Sequence, residues 1–527
     1  MKKSIRSFTY IIGITLTALF LTDNTCQAQH SLLSKKNKFK KSPETKIVLI
    51  AGEKSHPAGT HEYIKTVRLI KTMLDNSTKG IKTEVHLHGW PANEKTLEDA
   101  DLILIVSDGP DGYNFRDSPF LTRERSRIIQ KQINRGCGIS LLHFSTFSPY
   151  AYSQKMLEWA GGYFDWQDSS GNHRKYSEIK AIEAKVNLAS PEHPVSRGVK
   201  PFQIMEEFYY NIRFSDTVQR FSPILEVPSL NGRPKTGNVI AWTVERKDGG
   251  RGFSATINHF YSNWENNDYR KVLLNGIVWA SGIEVPSTGV EARFYQDLEV
   301  TKHIYNRSIK ALLIAERDSS SDEWGKGTLA IKNAIEKDNR FLIDISSNIN
   351  DLWQYDLSDY KLVILNRENI TGINSHSKLA LENYLSKGGG LISLAFHNNK
   401  TSAATEELNW PAYNQIFRRE FTKTKKEPRQ RKREVSKLHV TPHFITKNVH
   451  DFKLPGIHHY YLAGDMPVTT LLSSKAPSNK SRALAWVYPF KQGRIFQTLL
   501  GDDPKWLKSQ TVQRIFKNAA IWTSGYE

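Results

Sequence analysis

The feature that most constrains this chain is a pattern that occurs twice. Lys46-Ile47-Val48-Leu49-Ile50-Ala51 is an apolar run of the kind found in strands buried on both faces. Lys310-Ala311-Leu312-Leu313-Ile314-Ala315 repeats it about 260 residues later. In the same order, Asp101 to Val106 is answered by Tyr360 to Leu365, and Arg135 to Leu142 by Lys387 to Leu394. The closing segments match too: Gly250 to Phe253 with Gly493 to Phe496, and Asn275 to Gly282 with Asn518 to Gly525. A spacing this long marks a duplicated domain, since solenoid repeats run roughly 20–50 residues.

Within the first copy, Thr60 to Leu74 and Thr122 to Asn134 carry helical spacing, Thr83 to His88 alternates like a strand, and Gly136 is a stop signal. Buried strands alternating with helices predict an α/β fold, with two doubly wound, flavodoxin-like parallel domains in tandem. The chain has 527 residues, more than a single core organises. The expected division is a signal over 1–29, a linker over 30–45, a first domain over 46–285, a linker over 286–305 and a second domain over 306–527.

The signal is read from Lys2, Lys3 and Arg6, an apolar run from Tyr10 to Leu21, and the polar, small-residue end Thr25-Cys26-Gln27-Ala28-Gln29. The run is too short to span a bilayer comfortably, so an exported protein, periplasmic or secreted and without a permanent membrane anchor, is expected. Cys26 would leave with the signal, and Cys137 alone cannot form an internal disulfide. Set between Gly136 and Gly138 ahead of an apolar strand, Cys137 reads as a buried structural thiol. The net charge of +19 favours anionic partners, and export argues against nucleic acid among them. Much of the charge is local, from Arg418 to Arg433; this stretch reads mainly as a solvated loop, with an acidic polysaccharide as its alternative partner.

Ligands of open parallel sheets collect outside the carboxyl ends of the strands. There the first copy places His56, His61 and Glu62 after one strand, Asp108 after another, His143, Phe144 and Ser145 after a third, and His259, Tyr261 and Trp264 near the last. Four histidines and several carboxylates are therefore expected to share one cleft. Cognate positions of the second copy have lost them: Ala395 stands for His143 and Asp502 for His259. The adjacent pair His458-His459 would face opposite ways on a strand and is a poor metal pair. The second copy reads as degenerate.

These motifs resemble the trehalose-utilisation (ThuA-like) family, whose fold is similar to that of class I glutamine amidotransferases. The resemblance is carried by His56-Pro57-Ala58-Gly59-Thr60-His61-Glu62, Ser107-Asp108-Gly109, Leu142-His143-Phe144 and Trp159 to Phe164. It continues through His193 to Gly198, Glu206-Glu207-Phe208-Tyr209-Tyr210 and Asn258-His259-Phe260, and more loosely through Leu462 to Pro467. Amidotransferases place a nucleophilic Cys at the sharp turn after a strand. Here that region reads Leu141-Leu142-His143-Phe144-Ser145, which excludes glutamine hydrolysis, and Ser145 lacks the Gly-x-Ser-x-Gly context of a serine nucleophile.

The resemblance implies a saccharide ligand. Imidazoles beside carboxylates suit acid–base chemistry on an oligosaccharide or keto-sugar, with Glu62, Glu206 and Glu207 as acid/base partners. Phe144, Tyr261, Trp264 and Trp90 are candidate faces for stacking on sugar rings. A divalent metal is left open, because His and carboxylate are ordinary ligands while His-x4-His in a Gly/Pro loop is not a zinc signature. The alternative is a non-catalytic glycan-binding or scaffold protein using the same cleft.

Overall fold

The computed structural model describes residues 44–109, 118–215, 220–315, 322–366, 372–394, 410–422, 435–455, 461–475, 481–501 and 505–527. The expected signal, Ala395, His458-His459, Asp502 and residues 423–433 of the basic stretch lie outside the described residues.

The first sheet has nine strands: β1 (Thr45–Ala51), β2 (Ile81–His86), β3 (Leu102–Val106), β4 (Gly138–Leu142), β5 (Glu178–Leu188), β6 (Phe202–Tyr210), β7 (Arg220–Glu226), β8 (Val239–Glu245) and β9 (Arg251–Ala255). Their order is β2-β1-β3-β4-β9-β8-β7-β5-β6. The first five in that order run parallel, while the other four pair antiparallel. The antiparallel half departs from the all-parallel expectation for a plain reason. Parallel neighbours need a crossover of a dozen or more residues, usually a helix, and the chain from Glu178 to Ala255 holds only strands and short turns among its described residues.

The helices lie on both faces of the parallel half. On β1, Ile47, Leu49 and Ala51 pack with Val67, Ile70 and Leu74 of α1 (Tyr63–Ser77), and Val48 and Ile50 face the other way. There they meet Ile129 and Ile133 of α2 (Arg123–Asn134) and Met156 and Trp159 of α3 (Tyr150–Ala160). Alternation along a strand thus divides the core into two layers. On the α1 side, α4 (Asn267–Ala280) completes the cover, opened by Asn266, whose side chain accepts the Asp268 and Tyr269 amides.

The second sheet has β10 (Ile309–Ala315), β11 (Phe341–Ser346), β12 (Leu362–Asn366), β13 (Gly390–Leu394), β14 (Val435–Val440), β15 (Phe452–Pro455), β16 (Thr469–Lys475), β17 (Ser481–Phe490) and β18 (Gly493–Thr498). Its order, β11-β10-β12-β13-β18-β17-β16-β14-β15, repeats the first sheet strand for strand. The copies meet along α1, where Arg68 pairs with Asp344 (3.0 Å) and Lys65 with Asp359 (2.7 Å). Cys137 is buried and burial pushes its thiol up to about 12, which leaves it a packing residue.

Candidate functional site

Two loops at the carboxyl ends of the first sheet are clamped together. In the loop after β1, Lys54 Nζ donates to Thr60 O (2.7 Å) and Pro57 O (3.2 Å) and pairs with Glu62 (2.9 Å). Glu62 also accepts the Gly59 amide (2.8 Å). That loop is bridged to the one after β9 by His61 N to His259 O and Tyr261 N to Gly59 O, both 2.9 Å. From β6, Glu206 accepts the amides of Asn258 and His259, each at 3.1 Å, and fixes the second loop.

His143 stands at the turn directly after β4. It is held there with φ 53°, and His61 and Asn258 have φ of 46° and 114°. Non-glycine residues in this region are strained and persist where the surroundings over-determine them. Ser145 supplies part of that constraint, since its buried hydroxyl bonds Leu142 O (2.6 Å) inside the turn. Gly109 supplies more: a Cβ there would lie 2.3 Å from Phe144 O, so only glycine admits this close approach.

The loops bring three imidazoles and a carboxylate to one point. His61 Nε2 lies 2.8 Å from His259 Nδ1 and 3.2 Å from His143 Nε2. Glu207 Oε2 lies 3.2 Å from His259 Nδ1 and 3.7 Å from His143 Nε2. The outer nitrogens fix the tautomers. His143 Nδ1 faces Thr256 O (2.7 Å), and a carbonyl only accepts, so this nitrogen carries the proton. Tyr63 donates to Asp108 (2.5 Å), so its oxygen accepts from His61 Nδ1 (2.5 Å). Both Nε2 atoms therefore present lone pairs inward. Tyr209 O–H donates to His143 Nε2 (2.9 Å) and stacks on that ring.

Burial holds the rings of His56, His61 and His143 neutral. It lowers His143 to about 3 against the pull of Glu207, and His56 to about 4; His61 is held well below its usual value, by burial first and then by its histidine neighbours. Burial opposes ionisation of Glu207, yet the hydrogen bonds from His259 and Tyr209 and the electrostatic pull of the His143 ring outweigh it and keep its carboxyl below the ordinary range. At neutral pH His56, His61 and His143 are bases and ligands rather than imidazolium acids.

Of the residues that the strand ends are expected to gather in one cleft, His56, His61, Asp108, His143, Glu207 and His259 come together; His56 stacks on His61 with centroids 3.5 Å apart. Glu62 and Glu206 stand behind them as braces. Trp264 is entirely buried, donating to Asn258 Oδ1 (2.8 Å), and offers no face to a sugar. Phe144 is buried with its ring nearly perpendicular to that of His61, Tyr261 is covered by Lys65 and Phe294, and Trp90 carries Arg125 over its ring. Lys54, Tyr63, Tyr209 and Thr256 also join the site. Tyr209 lies in the Glu206 to Tyr210 motif, but nothing in the sequence sets these four apart as site residues. In the basic stretch, Arg418 donates to Pro467 O and Pro489 O, and Arg419 to Met466 O, so these two hold the second domain's own backbone.

Fold and site define a protein of two α/β domains in tandem, with a histidine at the turn directly after β4 of the first. The model of the ThuA family, described as trehalose utilisation, matches twice, over residues 47–280 and 310–523, and the chain belongs to this family. A ThuA-like protein from Bacteroides uniformis is similar at 19% identity, covering 41% of this chain and 91% of its own, with a TM-score of 0.33. Another from Parabacteroides merdae is 16% identical, covering 47% and 98%, with a TM-score of 0.34. A glutamine amidotransferase from Thermotoga maritima is 11% identical, covering 42% and 99%, with a TM-score of 0.29. No protein of curated function matches the chain.

Proposed function

We propose that this ThuA-family chain is exported and acts on a saccharide, an oligosaccharide or a keto-sugar, at the histidine site of its first domain. The family's link to trehalose utilisation supports the substrate class. The observation that carries the choice of site is the convergence of His61, His143, His259 and Glu207 behind strained turns. The neutral imidazoles of His61 and His143 beside the Glu207 carboxylate suit proton abstraction from a sugar hydroxyl or from carbon next to a keto group. Export is supported by the basic start and the apolar run from Tyr10 to Leu21; among the described residues, no helix is long and apolar enough to cross a membrane.

Calorimetry with a panel of disaccharides and keto-sugars, trehalose included, paired with product analysis, tests this. Binding and turnover that are both lost in His259→Ala are expected. A panel that gives no binding sinks the saccharide reading, and binding without turnover converts it to a glycan-binding protein.

A further inference from the structure

We propose that His61, His143, His259 and Glu207 bind one divalent transition-metal ion of the zinc class. The inference rests on the site reading above and deepens it by naming what the four side chains hold.

The spacing fits. Zinc bonds imidazole nitrogen and carboxylate oxygen at about 2.0–2.2 Å, which places neighbouring ligands of a tetrahedron about 3.3 Å apart. Four of the six separations here are 2.8, 3.2, 3.2 and 3.7 Å. All four ligand atoms lie within 4.8 Å of one another.

The orientation fits as well. Two nitrogen lone pairs 3.2 Å apart repel unless a cation lies between them, and here both are fixed inward from outside. Thr256 O takes the proton of His143 Nδ1, and Tyr63, itself bonded to Asp108, takes that of His61 Nδ1. A carbonyl or carboxylate chain behind each imidazole is the arrangement that fixes metal-binding tautomers and raises ligand basicity. The Tyr209 hydroxyl reaches both His143 Nε2 and the Glu207 carboxylate, so it retains a partner when an ion occupies the first.

Access comes from one side. His61 and His143 form a buried floor, while the side chains of His259 and Glu207 keep 14% and 26% exposure. The open side leaves room for a sugar oxygen as a fifth ligand, and an ion held there would then supply Lewis acidity toward a keto or hydroxyl group. The second copy is an internal contrast, with Ala395 and Asp502 at the positions of His143 and His259.

The test is titration of zinc chloride, and separately magnesium chloride, into the chelator-stripped full chain. One zinc per chain with a dissociation constant on the order of a micromolar or tighter is expected, with magnesium at least about 100-fold weaker because imidazoles dominate the set. His259→Ala and Glu207→Gln, checked for folding by circular dichroism, should each weaken zinc by about 100-fold. His439→Ala, on a half-exposed strand of the second domain, should leave it unchanged. Cobalt substitution of the unmutated chain gives a second readout, expected to show d–d bands without thiolate charge transfer. Absence of stoichiometric zinc, magnesium as tight as zinc, or affinity retained in both site variants overturns the proposal. A chain that binds sugar without zinc loses only the metal; one that binds zinc but no saccharide loses only the saccharide reading.

Discussion

Lys54 Nζ lies 2.9 Å from Glu62 Oε1 with both side chains nearly buried, and this pair shapes the loop that carries His56 and His61. Burial lowers the Lys54 ammonium despite the attraction of Glu62, so desolvation exceeds what the pair returns. Removing one partner is then far worse than removing both. Lys54→Met alone should cost about 3–5 kcal/mol by leaving a buried carboxylate unpaired. Adding Glu62→Gln should recover part of that loss, a coupling read directly from urea denaturation of the two single variants and the double. Strict additivity would show that the pair does not act as a unit.

Tyr63→Phe tests how His61 is oriented. The phenol is both the acceptor for His61 Nδ1 and a donor to Asp108, and it is wholly buried. Its loss leaves a buried N–H without its acceptor, at a cost of about 1–3 kcal/mol. Since outer partners of a metal-bound imidazole typically contribute 10–100-fold to affinity, zinc binding should weaken by roughly that factor. Unchanged zinc affinity in the folded variant would mean that the tyrosine does not set the tautomer.

What the sequence disclosed and what it concealed divide along physical lines. Apolar runs such as Ile47 to Ala51 and Leu102 to Val106 fit strands covered on both faces, so the parallel half and its duplication were legible. β5 is largely solvent-exposed along its length, and pairing by hairpin rather than crossover depends on connections that periodicity does not report. His61, His143 and His259 were legible because strand ends converge. Which carboxylate joins them was not, because Glu206 and Glu207 differ only in the face of β6 they occupy. Glu206 turns to backbone amides and Glu207 to the imidazoles.

Trp264 separates packing from recognition. In sequence it stands among candidates for stacking on sugar, yet its ring is buried against Tyr269 and its indole N–H is bonded to Asn258. Trp264→Phe should cost about 1–3 kcal/mol in denaturant, through lost volume and an unpaired Asn258 oxygen. Saccharide affinity, by calorimetry at a temperature where the variant is folded, should stay within about twofold. A tenfold loss with stability intact would return the residue to the binding surface.

Asp344 gives the contact between the copies a pH-dependent contribution whose sign follows from its own shift. Burial alone would raise Asp344, but the charges of Arg68 and Lys310 and the hydrogen bonds from Arg68 and Tyr360 hold it below the usual carboxylate range. The unfolded chain therefore takes the proton more readily than the folded one. The resulting stabilisation is present in full above the ordinary value of about 4 and is lost as pH falls through the lower folded value. Asp344→Asn should destabilise the protein at pH 7 by about 3–5 kcal/mol, because Arg68 keeps its charge in a buried place. The gap between the two proteins should narrow steadily below pH about 4, as the native carboxyl approaches the neutral state that asparagine imitates. Urea denaturation at stepped pH measures that gap. A difference that stays constant down to the acid limit of folding would show that the Arg68–Asp344 pair adds nothing electrostatic to the joining of the domains.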